Sequence, residues 1–230
     1  MDWVSFWDGA HSIYVNDRHK AVHYARITAD IVALVPDPAA RVMDYGCGEA
    51  LGAADLARAS GQLILADSAQ TVRARLKEKF AGDRKVSVLS PEEAALLPDG
   101  SLDLIIANSL LQYLSKDVLK DLLAVWHRLL APGGAVVLAD VIPPGVSAVQ
   151  DAGALLSFAA RDGFLAAAVI GLAKTAVSPY RKLRADLGLT MYEEAEMLAL
   201  LKAAGYAPER LHPNIGHNQR RMAFRAVPVK

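Results

Sequence analysis

The sequence predicts an α/β fold built on a mostly parallel sheet, and three observations carry that prediction. From residue 41 onward, short apolar runs alternate with stretches of helical periodicity, the pattern of successive βαβ units. Three glycines (Gly46, Gly48, Gly52) follow the first apolar run at once, in "VMDYGCGEALG", and lead into its helix. Turn signals precede two later runs: Asp99-Gly100 ahead of "SLDLIIAN" and Pro132-Gly133-Gly134 ahead of "AVVLADVI".

Taken in order, an amphipathic helix spans about 17–35, behind an aromatic and histidine-rich lead. "RVMDYG" (41–46) is a first strand and 50–60 its helix. "QLILAD" (62–67) is a second strand, with a helix over 68–80, and "KVSVLS" (85–90) is a third. Ser90-Pro91-Glu92-Glu93 then reads as a helix start, with a capping serine, proline at the first position and glutamate at the third. A fourth strand covers 101–108, a helix 116–130 and a fifth strand 134–142. Residues 146–189 are alanine-rich and helical, interrupted at Gly163, Gly171 and "SPY" (178–180). A helix over 192–204 and strands in "GYAPERLH" and "RRMAFRAVP" complete the chain.

The 230 residues suit one domain: an N-terminal lid or helix (1–36), a core (37–145), a helical insert (146–189), and the last helix and strands (190–230). A hydrophobic fraction of 53% supplies a core. Lys plus Arg equals Asp plus Glu at 25 each, so no overall field attracts nucleic acid. The single cysteine, Cys47, excludes an internal disulfide and a cysteine-cluster metal site, and no metal is expected. The longest apolar run, 164–173, is too short to span a bilayer, and "MDWVSFWDGAHS" lacks a signal pattern. A soluble, cytoplasmic protein without stable membrane insertion is expected; a homodimer is compatible with this composition.

The glycine loop departs from the dinucleotide fingerprint. G-x-G-x-x-G requires a glycine where Leu51 stands, and Asp44 sits two residues before the first glycine. A carboxylate there would repel a pyrophosphate and favour a cation such as an ammonium or sulfonium. Asp67 ends the second strand about 20 residues on, where an acid can hold ribose hydroxyls.

At these residues the chain resembles the class I S-adenosylmethionine-dependent methyltransferases. "VMDYGCGEALG" is similar to their first motif and Asp67 to their second-strand acid. "LPDGSLDLIIANSLLQYL" and "LLAPGGAVVLADVIPP" are similar to the segments around their fourth and fifth strands. The resemblance covers about 40–142 well. It implies a Rossmann-like, seven-stranded sheet whose last strand is antiparallel, with S-adenosyl-L-methionine (SAM) at the carboxyl ends of the first strands. Carried over, Asp44, Gly46 and Gly48, with Cys47 between them, meet the methionine half. Asp67 and its neighbour Ser68 meet the ribose, and Asn108 and Ser109 line the cofactor near the methyl. The family often places an acid after the third strand for adenine; Pro91 stands there, leaving Glu92 to reach adenine and Glu93 to cap the helix.

A base matters where the acceptor must lose a proton, as a hydroxyl must, and His217 and His19 are the candidates. Tyr14, Arg18 and Asn218 are expected on the substrate side, since the lead and the loop "HPNIGHNQRR" both fall near the carboxyl edge of the sheet. Arg181, Lys182 and Arg184 stand where the insert could meet an anionic group. No N-P-P-Y-like stretch follows the fourth strand. A small acceptor, apolar ones included, is therefore expected, with O-methylation favoured. The alternatives are a non-catalytic module that binds SAM or S-adenosylhomocysteine, and a nicotinamide-dependent reductase.

Overall fold

The computed structural model describes residues 3–8, 14–175 and 188–229. Seven strands form one sheet: β1 (Arg41–Tyr45), β2 (Gln62–Ala66), β3 (Val86–Leu89), β4 (Leu102–Asn108), β5 (Leu130–Val141), β6 (Tyr206–Leu211) and β7 (Met222–Pro228). Their order is β3-β2-β1-β4-β5-β7-β6. Pairings from β3 to β5 are parallel, and β7 runs antiparallel to both β5 and β6. The expected Rossmann-like sheet with an antiparallel last strand is the one observed.

Central strands of such a sheet are covered on both faces, so consecutive residues must be apolar. Val42 and Met43 on β1, and Ile105 and Ile106 on β4, are fully buried although each pair points to opposite sides. One face packs on α6 (Lys116–Leu129) and α9 (Glu194–Ala203), with Trp126, Leu123 and Met197 in the core. The other packs on α2 (Asp17–Val32), α3 (Ala53–Ala59) and α4 (Gln70–Lys79), through Ile31, Leu56 and Leu76.

Capping chemistry explains several starts. The Asn16 side chain accepts from the His19 amide at the head of α2. Ser90 and Glu93 form the reciprocal capping box of the short helix α5 (Pro91–Ala95). Ser147 and Gln150 repeat that box at α7 (Ala148–Asp162), which ends on Gly163 in the left-handed region.

The insert departs from expectation at one glycine. Gly171 lies inside α8 (Leu165–Thr175) rather than ending a helix. A Cβ there would stand 2.0 Å from Val15 Cγ1, so this glycine admits close packing of α8 against the start of α2. Phe158, Phe164 and Ala168 of the insert close a third small core with Val15 and Val22. A short α1 (Trp3–Trp7) and a 3-10 turn over Leu111–Tyr113 were not foreseen. "SPY", Arg181, Lys182 and Arg184 lie outside the described residues. Among the described residues, no helix is long and apolar enough to cross a membrane.

Candidate active site

The sheet order places β1 beside β4, with their crossovers leaving in opposite directions, so a crevice opens at their carboxyl ends. A cavity of about 310 Å³ occupies it. The glycine loop forms its floor. Gly46 and Cys47 amides both donate to the Ala66 carbonyl, at 2.7 and 3.2 Å, which pins the loop to β2. Gly46 takes φ +76°, and a Cβ on it would come within 2.9 Å of Leu110. Gly48 takes φ +55° and a Cβ would meet nothing within 4 Å, so its backbone faces open cavity. Gly52 serves a different end: a Cβ would stand 1.7 Å from Thr28 Oγ1, and its absence lets α2 approach the loop.

Two carboxylates mark this cavity. Asp67 accepts from the Gly48 amide on Oδ2 and from the Ala69 amide on Oδ1, each at 2.8 Å. A carboxylate offers about four acceptor positions, so both oxygens retain capacity for a pair of hydroxyls. Arg73 donates to the Asp67 and Ser68 carbonyls, each at 2.7 Å, which fixes the turn after β2. Asp44 is different. Burial first, and the neighbouring Asp67 second, push its carboxyl up to about 7, and no hydrogen bond or cation offsets either effect. A desolvated acid with no countercharge fits a cationic group, and the Gly48 opening fits close approach of a ligand. The residues present therefore fit an adenosyl sulfonium carrying an amino-acid ammonium. Burial likewise pushes the Cys47 thiol up, which removes it as a nucleophile.

The N-terminal segment crosses above this cavity. Trp3 and Trp7 pack on Tyr113, with ring centroids 4.6 and 5.4 Å apart. Asp8 accepts from the Thr71 amide and hydroxyl, both at 2.7 Å.

A second cavity of about 200 Å³ shares His23, Ile27, Asn108 and Ser109 with the first. Ser109 and Asp140 line it, both with positive φ (56° and 58°), and the Ser109 hydroxyl donates to Asp140 Oδ2 at 2.8 Å. Such backbone conformations cost about 1–3 kcal/mol each and persist where surrounding structure enforces them. The Asn214 side chain accepts from the Asp140 amide, tying β5 to the 212–221 loop. His217 stacks on Phe158 at 4.6 Å and 11°, and its ring meets His23 at 5.6 Å. Burial is the main cause that lowers both imidazoles, His217 to about 4 and His23 to about 3, so both are neutral near pH 7. Asp151 of α7 holds Arg221 at 2.8 Å and accepts from Asn218 Nδ2 at 3.0 Å, which joins the insert to the loop.

The cavities bring most of the sequence-derived residues together. Asp44, Gly46, Cys47, Gly48, Asp67 and Ser68 line the first, as does Tyr14. His217 and Asn218 line the second, and Asn108 and Ser109 line both. Three expected residues lie elsewhere. His19 is buried under α8, stacked on Phe164 at 4.9 Å, and lines neither cavity. Arg18 is exposed and donates to the Asp162 carbonyl at the end of α7. Glu92 is exposed and accepts from the Ser90 hydroxyl, so it points along the helix cap and not into the cavity. Sequence reasoning missed His23, Asp140, Asp151 and Arg221. Among the described residues, no three His, Cys, Asp or Glu side chains gather as a metal site.

Residues 42–134 match the family model described as "Methyltransferase domain". The matched stretch holds the glycine loop, Asp44 and Asp67, and it is similar to a methyltransferase domain over about two-fifths of the chain. This match supports a SAM-dependent methyltransferase over the reductase alternative. Similar solved structures share the fold at low identity. A 1,6-didemethyltoxoflavin-N1-methyltransferase from Burkholderia thailandensis is 17% identical, with TM-score 0.57 over 90% of this chain and 79% of that one. The magnesium protoporphyrin IX methyltransferase of Synechocystis PCC 6803 is 15% identical, with TM-score 0.57 over 96% and 88%. A phosphoethanolamine N-methyltransferase from Haemonchus contortus is 19% identical, with TM-score 0.65 over 98% of this chain but 48% of that one. No curated protein sequence matches this chain.

Proposed function

We propose that this chain is a methyltransferase that acts on a hydroxyl of a small molecule seated in the second cavity, with His217 receiving the proton. The observation that carries the proposal is the junction of the two cavities at Asn108 and Ser109, with a neutral imidazole on the acceptor side. When bound, SAM supplies a methyl group already activated on a sulfonium sulfur. The protein's part is then to orient, to exclude water and to take up a proton. Asp44 meets the ligand's cationic end and Asp67 its ribose, while Gly48 lets the backbone approach between them. Asn108 and Ser109 border the space where acceptor and methyl meet. The edge-on Trp7–Tyr113 contact and the Asp8–Thr71 bonds cover the cofactor side, and α7 and the 212–221 loop cover the acceptor side. An imidazole whose pKa is lowered this far is unprotonated above pH 5 and so has its lone pair free, though it is a weaker base than an ordinary histidine.

The neighbours named above act, by their descriptions, on toxoflavin precursors, magnesium protoporphyrin or phosphoethanolamine, all small molecules. That range supports a small acceptor and fixes none. The test is transfer of labelled methyl from SAM into a fractionated cell extract. Label in the small-molecule fraction, reduced at least tenfold in His217→Ala with S-adenosylhomocysteine affinity retained, is expected. Label confined to protein or nucleic acid would refute the acceptor class, and full turnover in the variant would remove His217.

A further inference from the structure

The second cavity carries a charge imbalance that identifies what fits it. Asp151 is satisfied by Arg221 and Asn218, so that acid and that guanidinium cancel. His23 and His217 are neutral near pH 7 and contribute no positive charge. Asp140 remains. Burial raises its carboxyl, and the nearby Arg221 charge and the Ser109 hydroxyl bond oppose that rise. Among the described residues no cation stands within ion-pair distance of it, so an ammonium in the cavity would favour its ionised form. It does not sit there by default of the strand. Its φ of 58° turns it out of the β5 ladder at the register shift between Leu138 and Val141, and the Asn214 side chain holds that turn. Ser109 takes a similar conformation on β4's carboxyl end and meets it. Two strained residues on neighbouring strands, converging on one carboxylate that lines a cavity, mark a position held for use.

Four residues of the lining carry a buried polar atom without a partner: His23 Nδ1, Asn108 Oδ1, His217 Nδ1 and Arg221 Nε. Arg221 is nine-tenths buried and lines the same cavity, and its Nε finds no partner although its terminal nitrogen binds Asp151. That Nε has no surface open to the cavity, so the guanidinium meets the cavity by its other atoms. Ile27 and Ile215 supply the apolar part of the wall beside the His217 ring backed by Phe158, and Asn108 and Asn218 add uncharged polar groups.

We propose that the second cavity is a subsite for a small organic ammonium compound, with Asp140 as the residue that selects the positive charge. The acceptor class is thus a hydroxyl-bearing amine rather than a carboxylate or phosphate. The inference rests on the reading of this cavity as the acceptor side. Asp140 would bind the ammonium directly through a charge-assisted hydrogen bond, which is about twice as strong as a neutral one. An anionic acceptor would face Asp140 with only Arg221, already paired to Asp151, to offset it.

Three matched probes test it: benzylamine, benzyl alcohol and benzoate, titrated by ligand-observed NMR into the protein saturated with S-adenosylhomocysteine. Benzylamine is expected to bind at least tenfold more tightly than benzyl alcohol, and benzoate more weakly than either. Asp140→Asn should abolish that preference while changing S-adenosylhomocysteine affinity less than threefold. Asparagine tolerates the same positive φ, so the variant keeps the turn. Equal binding of the three probes, preference for benzoate, failure of benzylamine to bind, or an unchanged preference in Asp140→Asn would each overturn the proposal. The methyltransferase reading is scored separately by the S-adenosylhomocysteine titration in the same samples: binding there with no amine preference discards only the ammonium subsite.

Discussion

Raising the pH from 6 to 8 should strengthen S-adenosylhomocysteine binding about tenfold, and Asp44 is the reason. In the free protein its carboxyl titrates near 7, well above the ordinary value of 3.8, because it is buried and lies beside Asp67. The ligand's ammonium favours the ionised form. At pH 6 roughly nine in ten free molecules carry Asp44 protonated, and that proton must leave before the ammonium is met. At pH 8 roughly nine in ten are already ionised. The difference is about one decade in Kd, about 1.4 kcal/mol. The folded carboxyl is raised above its unfolded value, so the stability it contributes is present at low pH and lost as pH rises through 7. The free protein should therefore lose about 1.4 kcal/mol between pH 6 and 8 from this group, over the same window in which the ligand gains. Calorimetric titration across pH 6–8 in two buffers of different ionisation enthalpy reads both affinity and proton release. Up to one proton should be released per ligand bound at pH 6 and almost none at pH 8. Asp44→Asn should bind weakly with no pH slope and no proton release. A flat wild-type affinity, or a slope that survives in Asp44→Asn, would refute the placement of the ligand's cation on Asp44.

With SAM saturating, turnover should show no bend near 6.5 and should fall only as pH approaches about 4, where His217 gains a proton; a bend at 6.5 in the pH–rate profile would place the base elsewhere. Gly52→Ala should destabilise the fold by roughly 1–3 kcal/mol in urea melts through its clash with Thr28, with the binding determinants of Asp67 intact. Unchanged stability would show that α2 yields freely. Asp151→Ala leaves a buried guanidinium unpaired and should cost about 3–5 kcal/mol, more than Arg221→Met, which removes the charge. Denaturant melts of the two variants compare them, and the reverse ranking would contradict the pairing.

Local chemistry was the legible part of this chain. The glycine loop announced itself because positive φ at Gly46 and Gly48 is a demand of the turn itself, and Asp67 because it ends a strand beside that turn. The capping box at Ser90 was equally local, and it bears on Glu92, which shares the serine and faces outward. His19 against His23 was not legible. Both lie on one face of α2, and which of them meets a cavity depends on where α8 packs, a contact made by Val15 with Gly171 some 150 residues away. Gly171 was misread for the same reason: helix-breaking and helix-packing glycines look alike until the partner is known. Asp140 read as the interior of "VVLADVI", since its turn out of the ladder is imposed by Ser109 and Asn214.

The two cavities are drawn from the chain in very different ways. Apart from the N-terminal lead and α2, the first is lined from one continuous third of it, residues 44–113, where loop, strand and helix follow one another. The second collects four separated segments: 23–27, 108–109, 140–151 and 215–221. A change in the insert or in the late loop can therefore reshape the second cavity while leaving most of the first cavity's lining in place. The first cavity is thus the local product of one stretch of chain, while the second exists only where four distant stretches meet.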